Sequence, residues 1–80
     1  MQLTIVGFGI AKDIIGGNTA QLDLPDAALV AQLKMSLFER YPEFRKLRSL
    51  AIAVNGEYAQ DDLSLDAKDD IVLIPPVSGG

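Results

Sequence analysis

The residues best suited to take part in a reaction are the last ones of the sequence. There an apolar run leads into Pro75-Pro76-Val77-Ser78-Gly79-Gly80. The two prolines restrict the backbone as it leaves that run, and the two glycines leave the tip without side chains. A segment that is first stiff and then slender can enter a narrow channel and carry the Gly80 carboxylate to a reacting centre on another protein. The alternatives are a frayed terminus, as most chain ends are, or a cloning remnant. Because the two prolines come before the two glycines, we favour a tail that carries the terminal carboxylate to a partner.

Five aspartates form a second candidate site, because paired carboxylates can act as acid and base or bind a hard cation through oxygen. Their spacing fits no calcium-binding loop, and the chain has no histidine and no cysteine. Histidine-based triads, thiolate nucleophiles and zinc sites built from cysteine and histidine are thereby excluded. We expect a solvated acidic loop and no metal site; the loop comprises Asp61, Asp62, Asp66, Asp69 and Asp70.

A glycine-rich segment, Gly7-Phe8-Gly9, is a third candidate because it stands between a predicted strand and a predicted helical turn. Phosphate-binding loops occupy that position, but this segment lacks their third glycine, and no lysine-serine pair follows it. Close backbone packing or a tight turn explains these glycines more simply.

Length and charge limit the remaining classes of function. Eighty residues predict one domain with a single core. The net charge of −4 argues against a nucleic-acid partner, since neutralising phosphates supplies most of that affinity. We expect a cytoplasmic protein without a membrane partner, because no signal segment opens the sequence and no apolar run approaches the ~20 residues of a membrane span. A basic cluster is interpreted as a solvated helix end; it comprises Arg40, Arg45, Lys46 and Arg48.

Apolar residues at a period of two predict the strands that must position these candidates. The predicted strands are 3–8, 21–24, 50–54, 57–59 and 71–74, the first two paired as a hairpin. Asn55-Gly56 predicts a tight turn between the third and fourth strands, and Pro75-Pro76 ends the last one.

A helical period predicts one long helix between Pro25-Asp26 and Pro42, with Asp26 as N-cap or first-turn acid. Its apolar stripe is interpreted as core that covers one face of the sheet; the stripe comprises Leu29, Val30, Leu33, Leu37, Phe38 and Tyr41. A shorter helical turn at 9–15 is predicted to be closed by Gly16-Gly17.

The outer face of the predicted sheet is unusual because it is apolar where a solvated face is normally polar. Six side chains are assigned to the helix-covered face: Leu3, Ile5, Ile52, Val54, Ile71 and Leu73. The outward set is then Phe8, Ala51, Ala53, Val72 and Ile74, with Tyr58 at its margin. Contiguous apolar patches usually mark a protein interface, and we favour that interpretation over loops that cover the face.

Four motifs extend across essentially the whole chain: Phe8-Gly9-Ile10-Ala11-Lys12, Ile14-Ile15-Gly16, Val54-Asn55-Gly56 and the run 71–80. In these motifs the chain resembles the small subunit of molybdopterin synthase. The ending Pro-Pro-Val-Ser-Gly-Gly is the specific part of the resemblance. Lys68-Asp69-Asp70 departs from the Gly-Asp that is common in relatives, which alters a turn and leaves the tail intact.

The resemblance implies an α+β, ubiquitin-like β-grasp domain over residues 1–76, with a mixed sheet of about five strands and one main helix across one face. Residues 77–80 would then be a flexible Gly-Gly tail. A ubiquitin-activating-like adenylyltransferase would use ATP to adenylate the Gly80 carboxylate, and a sulfur donor system would convert it to a thiocarboxylate. The large synthase subunit would transfer that sulfur to a pyranopterin precursor to form the molybdopterin dithiolene.

In that scheme the small subunit is not an enzyme on its own and binds no cofactor or metal. The tail residues Val77, Ser78 and Gly79 would present the reactive end. The resemblance assigns partner binding to Phe8, Lys12, Tyr58 and Ile74.

Three alternatives stay open at this point. A related carrier for thiamine thiazole synthesis would share the tail, but the segment 8–16 and Pro75-Pro76 favour the molybdenum-cofactor member. A ubiquitin-like modifier would instead be conjugated to lysines of other proteins. The third alternative is a β-grasp interaction module with an inert tail.

Overall fold

The computed structural model describes residues 1–76. They form one mixed five-stranded sheet in the order β2-β1-β5-β3-β4, in which β1 and β5 are parallel and the other neighbours antiparallel. The strands are β1 (Gln2–Val6), β2 (Thr19–Asp23), β3 (Ala51–Val54), β4 (Glu57–Tyr58) and β5 (Ile71–Ile74), and the α-helices are α1 (Ile10–Ile15) and α2 (Val30–Arg40). The predicted fold class and the antiparallel pairing of the first two strands are confirmed.

The core lies between the sheet and α2, and it follows the alternation predicted for the strands. All six side chains assigned to the inner face are buried, as are Val30, Leu33 and Leu37 of α2. Each large apolar side chain buried in this way contributes about 1.5–3 kcal/mol relative to exposure. The long helix is therefore held by its packed face.

The start of α2 corrects the prediction, because the helix begins at Val30 and Asp26 is not its N-cap. Ala27 has φ +61°, a left-handed conformation that interrupts a helix. Leu29 is the N-cap in an extended conformation, bridged to Ser64, and its N–H donates to the Gln32 side chain at 2.9 Å. Leu29 is thus partly exposed and does not widen the buried stripe.

A 3₁₀ helix at Pro42–Lys46 follows α2 and was absent from the sequence prediction. Pro42 ends α2 as predicted, since Tyr41 is its C-cap. Phe44 then returns to the core with 1% exposure, and its ring packs edge-on against Tyr41 at a centroid distance of 6.1 Å. A short segment with one buried anchor carries too little periodicity to reveal itself in the sequence.

The segment between β1 and α1 also differs, because β1 ends at Val6 and Phe8 lies outside the strand. The Gly7 N–H donates to the Asn18 carbonyl at 2.9 Å. A Cβ at Gly7 would stand 2.9 Å from Cδ1 of Ile15, so the backbone approaches α1 more closely than a side chain permits. Close packing therefore explains this glycine. Gly16, with φ +82°, caps α1 as predicted.

Within residues 1–76, no helix combines the length and the apolar character needed to cross a membrane.

Candidate functional site

One row of apolar side chains crosses the outer face of the sheet. Val6 is paired with Val72, Val72 with Ala53, and Ala53 with Tyr58, so β1, β5, β3 and β4 each contribute one residue. On β1, β5 and β3 the neighbouring inner-face side chains are buried in the core. The row is thus continuous and lies opposite the core.

A second group extends this row toward the end of β5. Ala51 is paired with Ile74, and Phe8 stands two residues after the end of β1, where the period of two assigns it to the same side. Phe8 is 52% exposed and Tyr58 74% exposed, while Ile74 is half-buried. We name the whole surface the apolar patch; it consists of Val6, Phe8, Ala51, Ala53, Tyr58, Val72 and Ile74.

The rest of the outer face is polar, which is the normal state for a solvated side of a sheet. Apart from Val6, the outward positions of β1 and β2 are all polar and exposed: Gln2, Thr4, Thr19, Gln21 and Asp23. We call Gln2, Thr4, Gln21 and Asp23 the polar corner. The apolar patch and the polar corner lie on the same face of the same sheet. The fold therefore does not require an apolar outer face, and the patch is a local feature.

The structure brings three of the four predicted partner-binding residues onto the patch, namely Phe8, Tyr58 and Ile74. Two adjustments follow. Ala53 is only 8% exposed because it lies between Val72 and Tyr58, so it supports the patch from beneath. Val6, at 37% exposure, joins the patch, and its period-two position beside Phe8 was the sequence signal for it.

The fourth predicted residue, Lys12, is exposed on α1. Because β1 is parallel to β5, the helix that follows β1 lies at the end of the sheet where β5 stops. We call this the exit end; β3 begins there, since Ala51 is paired with Ile74. The helix that carries Lys12 therefore lies at the same end of the sheet as the point at which the chain leaves it.

Tyr58 is presented by a tight turn that is tied to the loop before β5. Asn55 and Gly56 have φ +54° and +87°, the two positive values of a type I′ turn. The Asn55 side chain donates to Oδ1 of Asp69 at 3.0 Å and accepts from the Asp70 N–H at 2.9 Å. The turn was predictable, but its connection to Asp69 was not, because it spans fourteen residues.

The acidic loop makes its contacts locally. Oδ2 of Asp69 accepts from the Asp66 N–H at 2.8 Å, and Asp61 pairs with Lys34 at 2.8 Å. In the part of the chain that the structure describes, no three acidic, histidine or cysteine residues gather in a way that could hold a metal ion. The loop is exposed at Asp61, Asp62, Asp66 and Asp70.

The C-terminal segment starts from the centre of the sheet. β5 is the middle strand, and Pro75 and Pro76 follow it directly, both half-buried at the exit end. The predicted tail residues Val77, Ser78, Gly79 and Gly80 lie outside the described residues. The apolar patch and the start of this segment therefore adjoin each other on one rigid strand.

A mixed five-stranded sheet crossed by one main helix, with an apolar outer face beside its last strand, places the chain among ubiquitin-like β-grasp proteins. The model of the ThiS family matches residues 6–80. The chain belongs to the ThiS family.

Curated relatives of similar length are molybdopterin synthase sulfur carrier subunits. The chain is 35% identical to the molybdopterin synthase sulfur carrier subunit of Dictyostelium discoideum, covering 99% of this chain and 96% of the relative. It is 30% identical to the human subunit of the same name, with 99% and 94% covered. The resemblance to synthase sulfur carriers drawn from the sequence is confirmed.

Solved structures agree on the fold. SAMP1 from Haloferax volcanii superposes with a TM-score of 0.83 at 25% identity, over 100% of both chains. A complex of subunits 1 and 2 of the molybdopterin-converting factor from Helicobacter pylori contains a chain with a TM-score of 0.68 at 26% identity, again over 100% of both chains.

Proposed function

We propose that this chain is the sulfur-carrier subunit of a molybdopterin synthase and that its reactive group is the terminal carboxylate of Gly80. The observation that carries the proposal is the full-length similarity to synthase sulfur carrier subunits, which includes the segment that leaves β5. The position of Pro75 and Pro76, directly after the central strand and beside the apolar patch, supports it.

The chemistry follows from the weakness of a carboxylate as an acyl donor. In the proposed cycle an adenylyltransferase lets the Gly80 carboxylate attack the α-phosphorus of ATP, and pyrophosphate leaves. Sulfide-level sulfur (HS⁻) from the donor system then attacks the acyl carbon, AMP leaves, and a thiocarboxylate and a proton are formed. On the large subunit this sulfur displaces an oxygen substituent of the pyranopterin precursor, which gives a thioester with Gly80. Water cleaves the thioester, leaves the sulfur on the pyranopterin and returns the carboxylate. ATP belongs to the activating partner, and this chain holds no cofactor.

The division of labour assigns the catalytic groups to the partners. This chain has no histidine and no cysteine, and in this proposal the groups that stabilise developing charge come from the proteins that receive the tail. In this proposal the chain is a non-catalytic subunit. It positions its own carboxylate, and positioning alone can account for several kcal/mol of a reaction barrier.

The apolar patch is proposed as the docking surface for the large subunit and for the adenylyltransferase. Phe8 and Tyr58 are exposed aromatic side chains on a rigid support, which is the kind of residue that anchors interfaces. Ile74 and Lys12 extend the contact toward the exit end. Ordering a short tail costs about 1–2 kcal/mol per residue, so the patch supplies most of the affinity.

The direct test is intact-mass spectrometry of the protein after incubation with its adenylyltransferase, ATP and a sulfur donor. The expected product carries one sulfur in place of one oxygen, located on the C-terminal peptide. A reaction without ATP is the control. A modified lysine, or no change with an enzyme that activates another carrier, would contradict the proposal.

A ubiquitin-like modifier is the second candidate, because the SAMP1 structures named small archaeal modifier protein share the fold. A carrier for thiamine thiazole synthesis is the third, since the family model is that of ThiS. Immunoblotting for high-mass conjugates in cells separates the modifier, because a carrier forms none. Complementation of molybdenum-cofactor and thiazole mutants separates the two carriers.

A further inference from the structure

Charge is divided between the two ends of the sheet. Residues 40–48 carry four basic side chains and one acidic, Glu43, and they lead into β3 at the exit end. Residues 57–70 carry six acidic side chains and one basic, Lys68. That segment lies at the opposite end, because the N–H of Asn55, which follows β3, donates to the Asp70 carbonyl at 2.8 Å. The chain is acidic as a whole, yet the end from which its C-terminal segment leaves is basic.

The basic side chains are carried by an anchored turn. Phe44 is buried at the centre of the 3₁₀ helix, and its carbonyl accepts from the Leu47 N–H at 3.2 Å. Arg45, Lys46 and Arg48 are exposed around this anchor. The helix α1 contacts the same turn. We call Arg45, Lys46 and Arg48 the basic rim.

No side chain of the rim has an ion-pair partner within residues 1–76. Of the lysine and arginine side chains there, only Lys34 has a carboxylate at ion-pair distance, Asp61 at 2.8 Å. The acidic loop screens the rim only weakly, since a four-residue strand separates them by about 10–13 Å and the Debye length at physiological salt is about 8 Å.

We infer that the basic rim docks onto an acidic protein surface beside the channel through which the large synthase subunit receives the tail. The inference rests on the proposed function and adds a second contact to it. The charge asymmetry orients the approach, because the exit end is attracted to such a surface and the acidic end is repelled. Complementary charges of this kind act mainly on the association rate.

Stopped-flow association of the labelled chain with the purified large subunit tests this inference. The variant is the triple substitution Arg45→Glu, Lys46→Glu and Arg48→Glu. Lys68→Glu, a reversal at the acidic end, is the control, and the single reversal Lys46→Glu matches it in charge change. Steering changes association rates by about 10–1,000-fold, so the triple variant is expected to associate at least about tenfold more slowly at low salt. The control is expected to stay within about twofold of the wild type, and dissociation should change little.

Two further readouts separate charge from structure. The difference should shrink to under about threefold between about 0.05 and 0.5 M salt, as the Debye length falls from roughly 14 to roughly 4 Å. The pair Arg45→Lys and Arg48→Lys keeps the charge and should associate like the wild type. Unchanged association of the triple variant, an equal loss in Lys68→Glu, or a loss that salt does not reduce would overturn the inference. So would binding of a duplex oligonucleotide probe by the rim with similar affinity.

The thiocarboxylate assay on the same preparations keeps this inference distinct from the proposed function. If the wild type acquires sulfur and binds the large subunit but rim reversal has no effect, only the inference fails. If the wild type neither acquires sulfur nor binds, both fail.

Discussion

The two faces of β5 carry similar side chains but differ in what covers them. Ile71 and Leu73 point inward and are fully buried, whereas Val72 and Ile74 point outward and remain partly exposed. On β1 the outward position Thr4 is polar, so an apolar outer face is not required for this sheet to form. The difference separates residues that fold the domain from residues that are available for a partner.

The largest effect should come from the inner face. Leu73→Ala removes a side chain with 0% exposure and should lower the free energy of unfolding by about 2–5 kcal/mol. Val72→Ala, the next residue on the outer face, should cost less than half as much because Val72 is half-buried. Urea unfolding measures both. Equal losses would mean that the outer face belongs to the core.

The second prediction concerns binding to the large subunit, which is expected to change while the fold does not. Phe8→Asp and Ile74→Asp should leave the fold intact but place an unpaired carboxylate in an apolar interface, which costs several kcal/mol. Affinity for the large subunit should fall on the order of a hundredfold or more. Calorimetric titration measures this, with circular dichroism to verify folding.

Thr4→Asp, in the polar corner of the same outer face, is the matched control for that experiment. It should change the affinity by less than about twofold, because substitutions of exposed residues away from an interface have small effects. If it weakened binding as much as Phe8→Asp, the patch would not be a distinct surface.

The smallest effect concerns the turn that presents Tyr58. Gly56→Ala places a side chain at φ +87°, which costs about 1–2 kcal/mol for an L-residue. Binding should weaken by less than about threefold, since Tyr58 is one anchor among several. Gly17→Ala is the control, because its Cβ would meet only an ordinary contact at 3.9 Å. Thermal unfolding of both variants shows whether the loss of stability arises from the turn at Gly56.

Periodic patterns made most of this architecture predictable. The alternation of β1, β3 and β5 assigned all six inner-face residues, and Asn55-Gly56 located the hairpin turn. The start of α2 was missed because Ala27 adopts a left-handed conformation that its residue type does not signal. The 3₁₀ helix was missed because Phe44 is a single buried anchor without a repeat.

The candidate site was predictable to a similar degree. The period of two assigned Phe8 and Ile74 to the outer face, with Tyr58 at its margin. The pairing of β5 with β1 and β3, which brings them onto one surface, emerged from the fold. The burial of Ala53 depends on the size of the side chains beside it, which pairing alone does not give. The segregation of the basic rim from the acidic loop depends on strand register, and it emerged only from the fold.

The central claim is that the sheet binds the large subunit and the C-terminal segment presents the sulfur. One pair of variants tests this claim most directly. Sulfur transfer and binding to the large subunit are to be measured for Gly79→Val and for the deletion of Gly80. Binding should stay within about tenfold of the wild type, because the patch supplies most of the affinity. Transfer should fall on the order of a hundredfold for Gly79→Val through misplacement, and further for the deletion, which leaves the carboxylate about 3.5 Å short. Near-normal transfer by either variant would contradict the account.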